Sequence, residues 1–97
     1  MKEIPEFSDI AAAHVKITPF VHRTPVLTCE SINRITGGDL HFKCENFQKV
    51  GAFKFRGASN AVFSLPEAEA QKGVATHSSG NHAAALALAA RMRWRCR

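Results

Sequence analysis

Two short apolar segments, each followed by a polar, glycine-containing loop that opens into a helical pattern, constrain this chain more than any other feature of its sequence. The first is Asp39-Leu40-His41-Phe42-Lys43-Cys44-Glu45. Leu40, Phe42 and Cys44 alternate with polar residues, the period of a strand with one buried face. Residues 46–53, with Gly51, form its loop. A helix is predicted over 54–65, with Ala58, Ala61, Val62 and Leu65 on one face. The second segment is Gly73-Val74-Ala75-Thr76-His77, which suits a short buried strand. Ser78-Ser79-Gly80-Asn81-His82 is its turn, and an alanine-rich helix is predicted over 82–92.

Ahead of both, Ser8 can cap a helix over 9–17, where Ile10, Ala11, His14 and Val15 recur at helical spacing. Pro19 stops it. Residues 24–27 read as extended, and a short helix over 29–35 ends at Gly37-Gly38. Pro66 interrupts the later helix, and 67–72 read as a polar connector. The alternation of helices and strands predicts an α/β fold, a partial open parallel sheet with helical crossovers. Phe42 and Phe63 are expected in the core, with Cys44 buried on its strand, and His14 and His22 structural or exposed.

At 97 residues the chain makes one domain, 1–97, with one modest core. The formal charge of +5 raises nucleic acid as a partner. Its distribution argues otherwise, because Arg91, Arg93, Arg95 and Arg97 crowd the chain end and the other basic residues are scattered. Three cysteines, Cys29, Cys44 and Cys96, fit neither a disulfide framework nor a zinc pattern. Reduced thiols in the cytoplasm are the expectation. The first residues lack the apolar run of a signal peptide, and no stretch is long enough to span a membrane. His77 and His82 have no acidic neighbour, so no metal site is expected.

Ligands of open α/β sheets bind at the carboxyl ends of strands, and both loops lie there. Each leads into a helix N-terminus, where free N–H groups favour anions. Ser78, Ser79, Gly80 and Asn81 form a plausible carboxylate cradle. A helix N-cap with a glycine turn needs the same residue types and accounts for them equally. Lys54 stands between Phe53 and Phe55 at a helix start. Apolar surroundings disfavour a charged amine and make it a nucleophile; the alternative is a solvated surface lysine.

The stretch Phe42-Lys43-Cys44-Glu45-Asn46-Phe47-Gln48-Lys49-Val50-Gly51-Ala52-Phe53-Lys54-Phe55-Arg56-Gly57-Ala58 resembles the signature of the fold-type II pyridoxal-phosphate enzymes. More narrowly, it is similar to the serine/threonine dehydratase and serine racemase family. Thr76-His77-Ser78-Ser79-Gly80-Asn81-His82 resembles that family's second motif, and Thr24-Pro25-Val26 its usual entry to the domain. The resemblance spans nearly all of residues 8–92. It implies that the chain is the N-terminal part of such an enzyme, with pyridoxal 5'-phosphate as cofactor and a small hydroxy-amino acid as substrate. Lys54 would hold the cofactor covalently and act as base at the substrate α-carbon. Phe53 would lie beside the cofactor ring, and Asn81 would hydrogen-bond its phenolic oxygen. Ser78, Ser79, Gly80, Asn81 and His82 would bind the substrate carboxylate. Arg56 would steady the lysine loop.

Ser79 bears on the reaction. The racemases of the family use a serine here as a second base opposite the lysine, whereas elimination needs one base and loss of the β-hydroxyl. The implied activity is a serine/threonine dehydratase, with serine racemase or 3-hydroxyaspartate dehydratase as alternatives. Ala52 departs from the family's more common serine. Family members are several times longer and usually dimeric or larger. Their glycine-rich phosphate loop, the contact to the pyridine nitrogen and the ligands of a divalent cation such as magnesium have no counterpart here. Residues 93–97 depart from the family's pattern and read as an aberrant or frameshifted tail, and the isolated chain is expected to be inactive and marginally stable. A non-catalytic partner-binding domain that reuses the fold is the competing reading.

Overall fold

A computed structural model describes residues 4–95. The first helix, α1, runs over Phe7–Ile17. Its cap is not Ser8, which lies inside the first turn. Glu6 is the N-cap, and its side chain and that of Asp9 reciprocally satisfy backbone N–H groups, a capping box that starts the helix two residues earlier than expected. Glu6 N–H donates to Asp9 Oδ2 at 2.8 Å. The helix buries only Ile17, and Ile10 and Val15 face outward.

Strand β1, Val26–Leu27, pairs with β2, Phe42–Lys43, and helix α2, Glu30–Thr36, lies between them. Gly37 ends α2 in the left-handed conformation at φ 68°, where a Cβ is disfavoured. The pairing is antiparallel, with Val26 opposite Lys43 and Leu27 opposite Phe42. Among the described residues this ribbon is the whole sheet, and no parallel pair occurs in it. The alternation along 39–45 marks a strand only where a partner exists, so the ladder shrinks to two residues. No element covers its apolar side: Phe42 is 44% exposed, Leu40 is exposed and Cys44 half-buried. Residues 73–77 are likewise extended without a ladder, and within them only Val74 is half-buried.

The core sits between α3, Lys54–Ser64, and α5, Asn81–Arg95. Phe55, Ala58 and Val62 of α3 close against Ala85 and Ala89 of α5, with Val74, Leu86, Leu88 and Met92 at the margin. The buried face of α3 is therefore Phe55, Ala58, Ser59 and Val62; Ala61 is exposed and Leu65 half-buried, a rotation from the expected face. Helix α1 packs on the other flank of α3, and Phe20 stacks on Phe63 with ring centroids 3.9 Å apart. The connector after Pro66 is a one-turn helix, α4, Glu67–Ala70.

Helix α5 runs three residues past the expected end at 92. The terminal arginines do not act as one group. Arg93 turns inward and donates to the carbonyls of Val62 and, at 2.7 Å, Leu65, the last acceptors of α3. It also lies 3.6 Å from Glu67. Of the expected aberrant tail, Cys96 and Arg97 lie outside the described residues. No helix among the described residues is long and apolar enough to cross a membrane.

Candidate active site

The loop between β2 and α3 is built as two short 3-10 turns, Glu45–Phe47 and Lys49–Gly51. Val50 and Gly51 both take left-handed backbone, φ 59° and 74°, which folds the chain back toward the helix start. Glycine accepts this geometry freely; for a β-branched valine it is a rare, strained conformation. Residues 49–51 pack against α5.

Side chains tie this loop to residues 20–24. Gln48, almost fully buried, accepts from His22 N–H at 2.9 Å and donates to His22 C=O at 2.8 Å, as a neighbouring strand would. Lys49 Nζ donates to Phe20 C=O at 2.5 Å. Arg56 donates Nε to Glu45 Oε2 at 2.8 Å and Nη2 to Glu45 Oε1 at 2.7 Å, a two-bond fork between guanidinium and carboxylate. Thr24 Oγ1 donates to the same Oε1 at 2.6 Å, and Arg56 Nη2 reaches His22 C=O at 3.3 Å. The Arg56 hydrogen bonds hold the Glu45 carboxyl down at about 2, from an ordinary 4.5, against the opposing effect of burial. Arg56 is raised in turn by Glu45. Arg56 does steady the lysine loop, as expected; its partner Glu45 escaped the sequence because eleven residues separate them and no periodicity links them.

Lys54 opens α3 and is exposed. Its amine makes no hydrogen bond among the described residues and stands 5.1 Å from the centroid of the Phe53 ring. The expected apolar surroundings are half present. Phe53 flanks the amine and is 61% exposed, whereas Phe55 is fully buried in the core. Successive helical residues turn by about 100°, so Phe55 cannot share the face of Lys54.

The second loop leads into α5. Gly80 C=O accepts from Ala84 N–H at 3.2 Å and so occupies the N-cap position. Ser78 Oγ accepts from Gly80 N–H at 3.2 Å, which assigns this hydroxyl to the turn, as the N-cap reading required. Ser79, Gly80 and Asn81 are exposed, and the side chains of Ser79 and Asn81 make no hydrogen bond among the described residues. A Cβ at Gly80 would meet nothing within 4 Å, so the approach to this helix start is open. His82 is half-buried.

A cavity lies between α3 and α5; of the two loops only His82 reaches it, and Phe53, Lys54, Ser78, Ser79 and Asn81 do not line it. A space of about 240 Å³ is lined by Gly57 and Ala61 of α3, by Val74, Ala75 and Thr76, and by His82 and Leu86 of α5. Gly57 lies one turn beyond Lys54, and His82 is the residue after Asn81. The arrangement offers an unpaired amine, an exposed aromatic face, an unpaired amide and the free N–H groups of a fifteen-residue helix. Those groups suit a planar, anionic ligand with a carbonyl carbon for the amine to attack.

A family model described as "Pyridoxal-phosphate dependent enzyme" matches residues 17–96. A beta-hydroxyaspartate dehydratase of Paracoccus denitrificans is 59% identical over 90 residues, covering 93% of this chain and 29% of that protein. A serine racemase of Arabidopsis thaliana is 66% identical over 83 residues, covering 86% of this chain and 25% of that protein. Among solved structures, that of maize serine racemase superposes with a TM-score of 0.89 at 56% identity, over 92% of this chain and 28% of that one. The chain thus spans between a quarter and a third of the length of these relatives.

Proposed function

Because the chain belongs to the pyridoxal-phosphate-dependent enzyme family, we propose that it supplies the lysine-bearing part of an enzyme that eliminates the hydroxyl group of a small hydroxy-amino acid, releasing a keto acid and ammonia. The observation that carries this is the placement of Lys54 and Asn81 at the starts of α3 and α5, two helices packed on each other, with the Lys54 amine making no hydrogen bond among the described residues. The residues fit the cofactor. Lys54 is free to bond covalently to it, Phe53 presents an uncovered ring face, and Asn81 presents an amide without an internal partner.

When bound, the cofactor supplies the electron sink that weakens the bond from the substrate α-carbon to hydrogen. Lys54 takes that proton as general base. Asn81 would hold the cofactor through its phenolic oxygen, and Phe53 would lie beside the ring. The free N–H groups at the start of α5, with Ser79 and His82, receive the substrate carboxylate. Ser78 acts through the turn it closes onto Gly80.

Serine and 3-hydroxyaspartate are the substrates we favour, since relatives named for acting on them reach 66% and 59% identity. Racemisation is a second reading, favoured by the exposed and unpaired Ser79, which can serve as a base from the other face.

Incubating the 97-residue chain with pyridoxal phosphate, reducing with borohydride and mapping the peptides tests the first step. Lys54 is expected to carry the label, and Lys54→Ala to lose it; label spread evenly over the lysines would sink the reading. A chimera in which these residues replace their counterparts in maize serine racemase tests the second. Ser79→Ala in that chimera is expected to abolish exchange of serine enantiomers and to retain keto-acid release. Loss of both together would remove the distinction drawn for Ser79.

A further inference from the structure

We infer that the Glu45–Arg56 pair is a positioning device for Lys54, an inference that rests on the role proposed for that lysine. Helix α3 begins without a side-chain cap: Phe53 occupies the N-cap position and offers no acceptor. The first turn is closed instead by tight backbone bonds, Phe55 N–H to Ala52 C=O at 3.5 Å and Arg56 N–H to Phe53 C=O at 3.1 Å, so the conformation of residues 52–53 decides where the helix starts. Lys54 is the first residue of that turn. Its amine makes no hydrogen bond among the described residues and stands 5.1 Å from the Phe53 ring centroid, so the backbone of 53–54 sets the direction in which the side chain leaves.

That backbone is held on both sides of Lys54 by one ion pair. Glu45 opens the 3-10 turn that follows the ribbon, and Arg56 lies two residues into the helix beyond Lys54. The pair is itself anchored, through Thr24 Oγ1 on the carboxylate and His22 C=O on the guanidinium. Both carboxylate oxygens are engaged, and Glu45 stays ionised to about pH 2. Between the two anchors the chain passes through the left-handed Val50 and Gly51. A strained loop relaxes when its ends are released, and here release would let the exposed residues Phe53 and Lys54 reorient above the buried Phe55. Gln48 and Lys49 fasten the middle of the loop to residues 20–22 and Phe55 is fastened in the core, so the freedom that remains lies in the exposed pair Phe53 and Lys54, which carries the amine. A bidentate fork restrains orientation as well as distance, which an unbranched ammonium does not.

The test uses the 97-residue chain, pyridoxal phosphate, borohydride trapping and peptide mapping across pH. The quantity read is label on Lys54 relative to Lys16, Lys43, Lys49 and Lys72 of the same molecule, together with the midpoint of its pH profile. Glu45→Gln keeps an acceptor for Thr24 and removes the charge. It is expected to cut the Lys54 preference about fivefold and to move its pH midpoint, with the far-UV circular dichroism unchanged. If Glu45→Gln does not fold, Arg56→Lys decides, since it keeps the charge and loses the fork; the same loss is expected. The exchange Glu45→Arg with Arg56→Glu is expected to restore most of the preference. A folded Glu45→Gln or Arg56→Lys with the wild-type preference and midpoint overturns the inference and leaves the reading of Lys54 intact. A wild-type chain with no preference for Lys54 overturns both.

Discussion

The two phenylalanines beside Lys54 are expected to differ sharply when truncated. Phe55 is fully buried at the centre of the α3–α5 contact. Its buried neighbours there are Ala58, Ala85, Ala89 and Val62, side chains too short to collapse into the space a phenyl ring vacates. Phe→Ala substitutions in cores cost about 3–5 kcal/mol, and the cost rises with the residual cavity. Phe55→Ala is therefore placed at the upper end, about 4–5 kcal/mol. A domain of this size has about 5–15 kcal/mol in total, so the variant forfeits a large share of its stability. Phe53 is 61% exposed. Full burial of such a side chain contributes about 1.5–3 kcal/mol, and the covered two-fifths scales to about 1 kcal/mol. Its contact with the Lys54 ammonium adds about 0.5 kcal/mol at an exposed site. The expected gap is about 3 kcal/mol, over a hundredfold in the unfolding equilibrium. Urea titration followed by circular dichroism and by the fluorescence of Trp94, the single tryptophan, measures it. Equal costs for the two variants, or a larger cost for Phe53→Ala, would refute the assignment of one ring to the core and the other to the site.

Four further outcomes are expected. Glu45 has its carboxyl lowered to about 2 in the fold, so its contribution is complete above the unfolded value of 4.5 and is lost as pH falls toward 2. Glu45→Gln should lower stability by about 1–3 kcal/mol at pH 7 and flatten the acid limb of the stability profile, with the two proteins converging near pH 2; parallel profiles would exclude the linkage. Ser59 is fully buried with its hydroxyl unpartnered among the described residues, so Ser59→Ala should raise stability by about 0.5–1 kcal/mol in the same titration. Arg93→Ala uncovers the carbonyls of Val62 and Leu65 and should cost about 1.5–3 kcal/mol, read as a lower urea midpoint. The 97-residue chain alone should release no keto acid from L-serine, L-threonine or 3-hydroxyaspartate, because it spans between a quarter and a third of the length of its relatives; steady turnover would contradict this.

Local signals served the helices well. The start of α3 at Lys54 and the glycine stop of α2 were both legible, because each is written in neighbouring residues. The placement of Lys54, Ser78, Gly80 and Asn81 at two helix starts was legible for the same reason. What failed depends on partners distant in sequence. The alternation at Leu40, Phe42 and Cys44 says that a strand is possible, but its length follows from its partner, Val26–Leu27, with one further bond from Cys44 N–H to Pro25 C=O at 2.9 Å. The apolar run Val74-Ala75 reads as a buried strand, but among the described residues it has no ladder partner, so Ala75 is exposed and Val74 packs only at the margin of the core. Ser8 is a good cap by composition, yet Glu6 and Asp9 satisfy two donors at once and win. The ion pair between Glu45 and Arg56 is a tertiary fact, invisible until the loop is folded.

The seam between α3 and α5 is made largely of alanine, at Ala58, Ala85 and Ala89. Short side chains let two helices sit close together, and here the helices carry the two halves of the site at their starts. The seam thus works as a spacer gauge. A methylene added at Ala85 or Ala89 would leave every candidate site residue in place in the sequence and still widen the gap between the Lys54 amine and the Asn81 amide. Selection for small residues along this stripe would then be selection on the dimensions of a ligand, exerted from the far side of the helices that hold it.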